Sequence, residues 1–131
     1  VCALLGIRSA KELFEHPLRG HLFESFAITE MFKYRYNTHK KPHLFYWCDT
    51  QGHEIDSVFE KRYDKLIPVE IKSNMTFNNT LLKGLSQWQQ IANLENTPAY
   101  LIYAGNTNLH YMHYQIFTWD NIKSLILKLE E

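Results

Sequence analysis

The chain has 131 residues, one domain's worth and enough to bury a core. Hydrophobic residues make up 45% and aromatic residues 15%, which predicts a packed globular domain and excludes a disordered one. Lys plus Arg and Asp plus Glu number 14 each, a balance that counts against holding a nucleic-acid backbone by charge alone.

No apolar run approaches the roughly 20 residues of a membrane span, so no membrane partner is expected. Val1-Cys2-Ala3-Leu4-Leu5-Gly6 is apolar, but it lacks a basic flank and is too short for a signal peptide. Cys2 and Cys48 are the only cysteines and form no CxxC pair. Such spacing predicts reduced, buried thiols and a cytoplasmic protein. Without an initiator Met, the chain reads as a single domain, residues 1–131, excised from something longer.

In chain order, Ser9 to Glu15 predicts a short helix, with Ser9 as N-cap and Glu12 completing a capping box. Pro17 suits the first turn of a longer helix running to Tyr36. Phe45 to Asp49, Glu54 to Glu60 and Leu66 to Lys72 read as strands, separated by a Gln51-Gly52 turn and the polar Lys61–Lys65 link. Thr80 to Asn93 reads as a helix carrying Leu81, Leu82, Leu85, Trp88 and Ile91. Ala99 to Ala104 is an apolar strand, Gly105-Asn106 a turn and His110 to Phe117 a fifth strand. Thr118 caps a last helix with Ile122, Leu125, Ile126 and Leu129 as its apolar stripe. The class is α/β, with an αβββαβ core and helices flanking a mixed central sheet. The basic clusters Lys33/Arg35/Lys40/Lys41 and Lys61/Arg62/Lys65 read as solvated turns.

Chemistry concentrates in Glu54-Ile55-Asp56 and Pro68-Val69-Glu70-Ile71-Lys72. Residues two apart in a strand share a face, so Glu70 and Lys72 point one way while Val69 and Ile71 face a core. A hairpin centred near Tyr63 sets Asp56 opposite Glu70, where like charges about 5 Å apart repel. Two carboxylates beside a lysine suggest a cation site within reach of a phosphate. On the long helix, at about 100° per residue, Glu24 and Glu30 fall inside the arc of Phe23, Phe26, Ala27, Ile28, Met31 and Tyr34. A carboxylate buried there needs a metal, an arginine or a backbone N–H as partner. For Glu30 a salt bridge or hydrogen bond to the following turn is expected, with Arg19 as one candidate partner.

The ordered set His16-Pro17-Leu18-Arg19-Gly20-His21-Leu22-Phe23-Glu24-Ser25-Phe26, Phe45-Tyr46-Trp47, Gly52-His53-Glu54-Ile55-Asp56 and Val69-Glu70-Ile71-Lys72-Ser73 resembles one family. That family is the nuclease-like C-terminal domain of unknown function found on many prokaryotic AAA-type ATPases. Its acid followed by Glu-x-Lys resembles the PD-(D/E)XK nuclease superfamily. The similarity runs from about Leu4 to Tyr103-Ala104-Gly105. It implies a restriction-endonuclease-like fold, a missing ATPase domain as partner, and metal-dependent phosphodiester hydrolysis of nucleic acid, DNA in the first instance. The resemblance assigns Asp56 and Glu70 as ligands of Mg2+ or Mn2+, with the Ile71 backbone carbonyl as a third oxygen. Glu24 would complete the sphere directly or through water, and Lys72 would orient the attacking water or offset transition-state charge. The alternative is a non-catalytic accessory module of the ATPase that contacts DNA or protein.

Some superfamily members use a Gln or Lys on the following helix, which makes Gln87, Gln89 and Gln90 candidates, with a polar helix face as their plainer reading. His110 and His113, three apart on one strand, would point to opposite faces. His53 reads as a surface or supporting residue beside the acidic strand. Cys48 stands where relatives often have arginine, which removes a cation near the site. No GxxxxGK[ST] is present, so ATPase chemistry cannot reside in this segment.

Overall fold

The computed structural model describes residues 1–62 and 64–131; the expected hairpin centre, Tyr63, lies outside the described residues. Four helices are α1 (Ala10–Glu15), α2 (Arg19–Asn37), α3 (Lys83–Ile91) and α4 (Ile122–Glu130). The strands are β1 (Leu44–Cys48), β2 (Glu54–Arg62), β3 (Lys65–Lys72), β4 (Ala99–Tyr103), β5 (Leu109–Tyr111) and β6 (Tyr114–Thr118). They form one six-stranded mixed sheet in the order β1-β2-β3-β4-β6-β5. β1, β2 and β3 are antiparallel, while β4 runs parallel to both β3 and β6. The αβββαβ order is therefore present, and the class is α/β. Among the described residues no helix is long and apolar enough to cross a membrane.

Two cores sandwich the sheet. Ala27 and Met31 of α2 and Ile122, Leu125, Ile126 and Leu129 of α4 pack on Phe59, Ile67, Val69, Ile71, Tyr100 and Ile102. On the other face Leu82, Leu85 and Trp88 cover Ile55, Val58, Leu101, Tyr103 and Ile116. Every residue of β4 is buried, because a central strand with helices on both sides has no solvent face. Tyr100 and Ile102 enter one core and Ala99, Leu101 and Tyr103 the other, at the two-residue period of a strand.

Several local expectations need correction. α2 starts at Arg19, two residues after Pro17, with Leu18 as N-cap. Its buried stripe is Ala27, Met31 and Arg35, so the apolar arc lies away from Phe26, which is exposed. Ser9 does accept from the Glu12 N–H, but Glu12 takes the N–H of Arg8 and not of Ser9. The fifth strand is a hairpin instead, β5 and β6, broken where Met112 adopts φ 54°. His110 thus sits within β5, opposite Gln115, and His113 in the turn that follows. Thr118 gives no side-chain cap: its N–H and hydroxyl both donate to Asn108, and a short 3-10 turn precedes α4. Ile91 is exposed, unlike the four apolar residues before it. The thiols are free, but Cys48 is exposed and Cys2 half-buried.

Arg35 is the clearest departure from the solvated-turn reading. It is buried, donates to the Lys41 carbonyl through Nε and Nη2, pairs with Glu130, and lies over the Phe59 ring. Glu130 also holds Lys40 at 2.6 Å. This basic cluster is in part an internal tie between α2, the segment after it and α4. Lys61, Arg62 and Lys65 stay at the hairpin tip, half-buried to exposed.

Candidate active site

β2 and β3 pair as far as Ser57 opposite Val69, a register in which Phe59 meets Ile67 and both side chains enter the α2 core. Ile55 and Val58 lie three residues apart, yet both belong to the α3 core. Strict alternation therefore slips by one residue at Asp56–Ser57, where the β1–β2 register also shifts. Asp56 lies one position past the Ser57–Val69 pair, beside Glu70, and its carboxylate reaches the backbone of β3. There Oδ2 accepts the Ile71 backbone N–H at 2.7 Å. The two acids remain close enough for the Asp56 charge to act strongly on Glu70.

Glu70 is buried, with 4% of its surface exposed. Its Oε1 binds Lys72 Nζ at 2.9 Å, as expected of residues two apart on one face. Its Oε2 is the only buried side-chain oxygen or nitrogen among the described residues without a hydrogen-bond partner. It faces the start of α3, where Gly84 carries no side chain. A Cβ at that position would touch Oε2 at 3.6 Å.

The electrostatics follow from this burial. Glu70 is pushed up to about 7, first by loss of solvent and then by the charge of Asp56, with Lys72 opposing. Asp56 is raised for the same leading reason, against the Ile71 N–H and Lys72. Lys72 is raised too: burial disfavours its charge, but the bond to Glu70 and the nearby acids outweigh it. Glu24, half-buried on α2, is raised by burial and then by the Asp56 charge, with His21 and Lys72 pulling it down.

Asp56, Glu70 and Lys72 are thus brought together, and Glu24 approaches them from α2 within electrostatic reach. Among the described residues no three His, Cys, Asp or Glu side chains form one group of metal-holding size. α2 is docked onto the end of β3 by Arg19, which donates to the Ser73 carbonyl and stacks over Phe14 at 4.4 Å. Arg19 is therefore not the partner of Glu30, which pairs with Lys33 at 2.9 Å. Gln89 is buried and binds the Thr97 carbonyl and His113. With Gln87 and Gln90 it lines a groove of about 600 Å³ whose walls include none of the acids above. His53 closes the β1–β2 turn against Asp49 at 2.7 Å, a structural role.

Two residues at this site lie in segments quoted above but receive a role only from the structure. Tyr46, on β1, donates its hydroxyl to Glu54 Oε2 at 2.7 Å, and the Glu54 charge acts on Asp56, Glu24 and Lys72. The alternation of β2, which places Glu54 two residues from Asp56, was the available signal.

Asp56 and Glu70 offer carboxylate oxygens, one of them buried and unpartnered, and this donor set fits a hard divalent cation. No curated protein and no solved structure matches the chain. The sequence profile of the family described as Domain of unknown function (DUF4143) matches residues 19–122, and the chain belongs to that family.

Proposed function

We propose that this domain carries out metal-dependent phosphodiester hydrolysis of nucleic acid, as a PD-(D/E)XK nuclease serving an AAA-type ATPase. The observation that carries this reading is the buried, unpartnered Oε2 of Glu70 beside a second carboxylate. Burying an acid with an unused lone pair costs several kcal/mol unless a proton or a cation completes it.

Asp56, Glu70 and the Ile71 carbonyl would hold Mg2+ or Mn2+, and Glu24 would reach it directly or through water. When bound, such an ion lowers the pKa of its water and polarises a phosphate. Asp56 is held for this role by the Ile71 N–H, which fixes one of its oxygens. Lys72 stays cationic between the acids and is half-exposed, so it can face the reacting phosphate and offset its charge. Arg19 keeps α2, and with it Glu24, against the end of β3.

The test is a Mn2+ titration followed by cleavage assays on single- and double-stranded DNA and RNA. Glu70→Ala is expected to lose both metal binding and cleavage. Absence of Mn2+-dependent cleavage of every substrate, alone or joined to an ATPase partner, favours the second reading. That reading is an accessory module contacting DNA or protein, supported by the zero net charge and by exposed Cys48 in place of a cation.

A further inference from the structure

We propose that Tyr46 is a stacking platform for an unpaired nucleobase next to the scissile phosphate, so that the substrate class is single-stranded nucleic acid. This rests on the nuclease reading above and adds the strand preference and the residue that sets it.

The ring is placed for that task. β1 is the outermost strand, so among the described residues no further strand lies beyond Tyr46. The side chain is 60% exposed, and among the described residues no aromatic ring packs against it. It is nevertheless tethered, because its hydroxyl donates to Glu54 Oε2 at 2.7 Å. Glu54 stands two residues before Asp56 on β2, which sets the tethered ring at the rim of the acidic pair. An exposed tyrosine gives up rotamer freedom on binding; here part of that cost is already met in the free protein.

The shortage of cations leaves stacking to carry more of the affinity. Glu24, Glu54, Asp56 and Glu70 surround Lys72, and the whole chain has a formal net charge of zero. Duplex binding draws its affinity from many lysine and arginine contacts to phosphate. This rim supplies few. Binding of single strands also uses phosphate contacts but adds stacking, worth about 1–3 kcal/mol per base, and every base has a π-face to offer. A duplex keeps its bases stacked inside and offers Tyr46 nothing.

The experiment measures anisotropy of a short fluorescein-labelled DNA single strand and of its duplex with the 131-residue domain in Ca2+. Wild type is expected to bind the single strand about tenfold or more tightly than the duplex. Tyr46→Ala is expected to erase that difference, and Tyr46→Phe, which keeps the ring and loses only the bond to Glu54, to retain most of it. Because the ring is exposed, thermal melts of all three proteins should agree. Equal or tighter duplex binding, or wild-type affinity in Tyr46→Ala, overturns the inference. Mn2+-dependent cutting of duplex that ignores Tyr46→Ala does so while leaving the nuclease reading intact; absence of both binding and cleavage on either probe removes both.

Discussion

Lys72 Nζ lies 2.9 Å from Glu70 Oε1 and leaves the other oxygen of that carboxylate bare. A single lysine thus half-compensates a buried acid that also has a second acid beside it. The remaining deficit has consequences for stability, metal response and catalysis.

The first consequence is a pH dependence of the metal-free fold. Glu70 has a folded-state pKa of about 7 against 4.5 for an unperturbed group, so the folded protein binds the proton more tightly than the unfolded one. Its stabilising contribution is present in full below pH 4.5 and is lost as pH rises to about 7. Asp56, also raised, acts in the same direction. Thermal melts in EDTA should fall across that window by the equivalent of about 3–4 kcal/mol. Glu70→Gln, which carries no charge, should flatten the profile; an unchanged slope in that variant would contradict the assignment.

Metal should reverse the loss. An ion that binds only the folded state stabilises it by about 2.7 kcal/mol at one hundred times its dissociation constant. Melts at pH 7.5 with millimolar Mg2+ or Mn2+ should therefore rise by several degrees in wild type and not in Asp56→Asn. Asparagine can still accept the Ile71 N–H through its amide oxygen, so the fold should survive the change. An equal rise in both proteins would make the pair purely structural.

Lys72→Ala separates holding the ion from using it. Lys72 is half-exposed and carries little of either core, so the strand should remain. Cleavage should drop about a hundredfold or more, as when one preorganised donor to a transition state is removed. The metal-induced rise in melting temperature should persist. Activity at the wild-type rate would place the chemistry elsewhere.

Arg35 gives a prediction independent of any catalytic role. Removing one partner of a buried charge pair costs about 3–5 kcal/mol, because the other charge is left uncompensated. Arg35→Ala also strips two donors from the Lys41 carbonyl and a cation from the Phe59 ring. Urea unfolding should show a loss in that range for Arg35→Ala and a smaller one for Lys40→Ala, whose ammonium is far more exposed. Equal losses would mean that Arg35 is not the anchor.

What the sequence disclosed depended on whether a signal was local. The alternation of Val69, Glu70, Ile71 and Lys72 is a two-residue period, and the structure keeps it: Val69 and Ile71 enter the α2 core and Glu70 meets Lys72. The α4 stripe was readable for the same reason, since its periodicity lies within one helix. Arg35 was not readable as buried, because its partner Glu130 lies 95 residues away. Neither was the slip at Asp56–Ser57: a bulge is one extra residue against a neighbouring strand, and nothing in Glu54-Ile55-Asp56-Ser57 announces it. The break at Met112 carries no Gly or Pro, the usual punctuation of a turn, so a continuous strand was the natural expectation.

The bulge has one more implication. Glu70 is on β3, which is laced to β4 through Lys72, whereas Asp56 lies beyond the last β2–β3 pair, on the part of β2 that stays joined to β1. The two acids therefore belong to opposite arms of a fork, and the Asp56–Ile71 bond is the pin across it. A cation shared by both arms would act as a clasp, so occupancy and closure of the fork become a single event. The Ile71 amide reports that event directly. Its hydrogen exchange should slow when Mg2+ or Mn2+ fastens the clasp and quicken again when EDTA withdraws the ion.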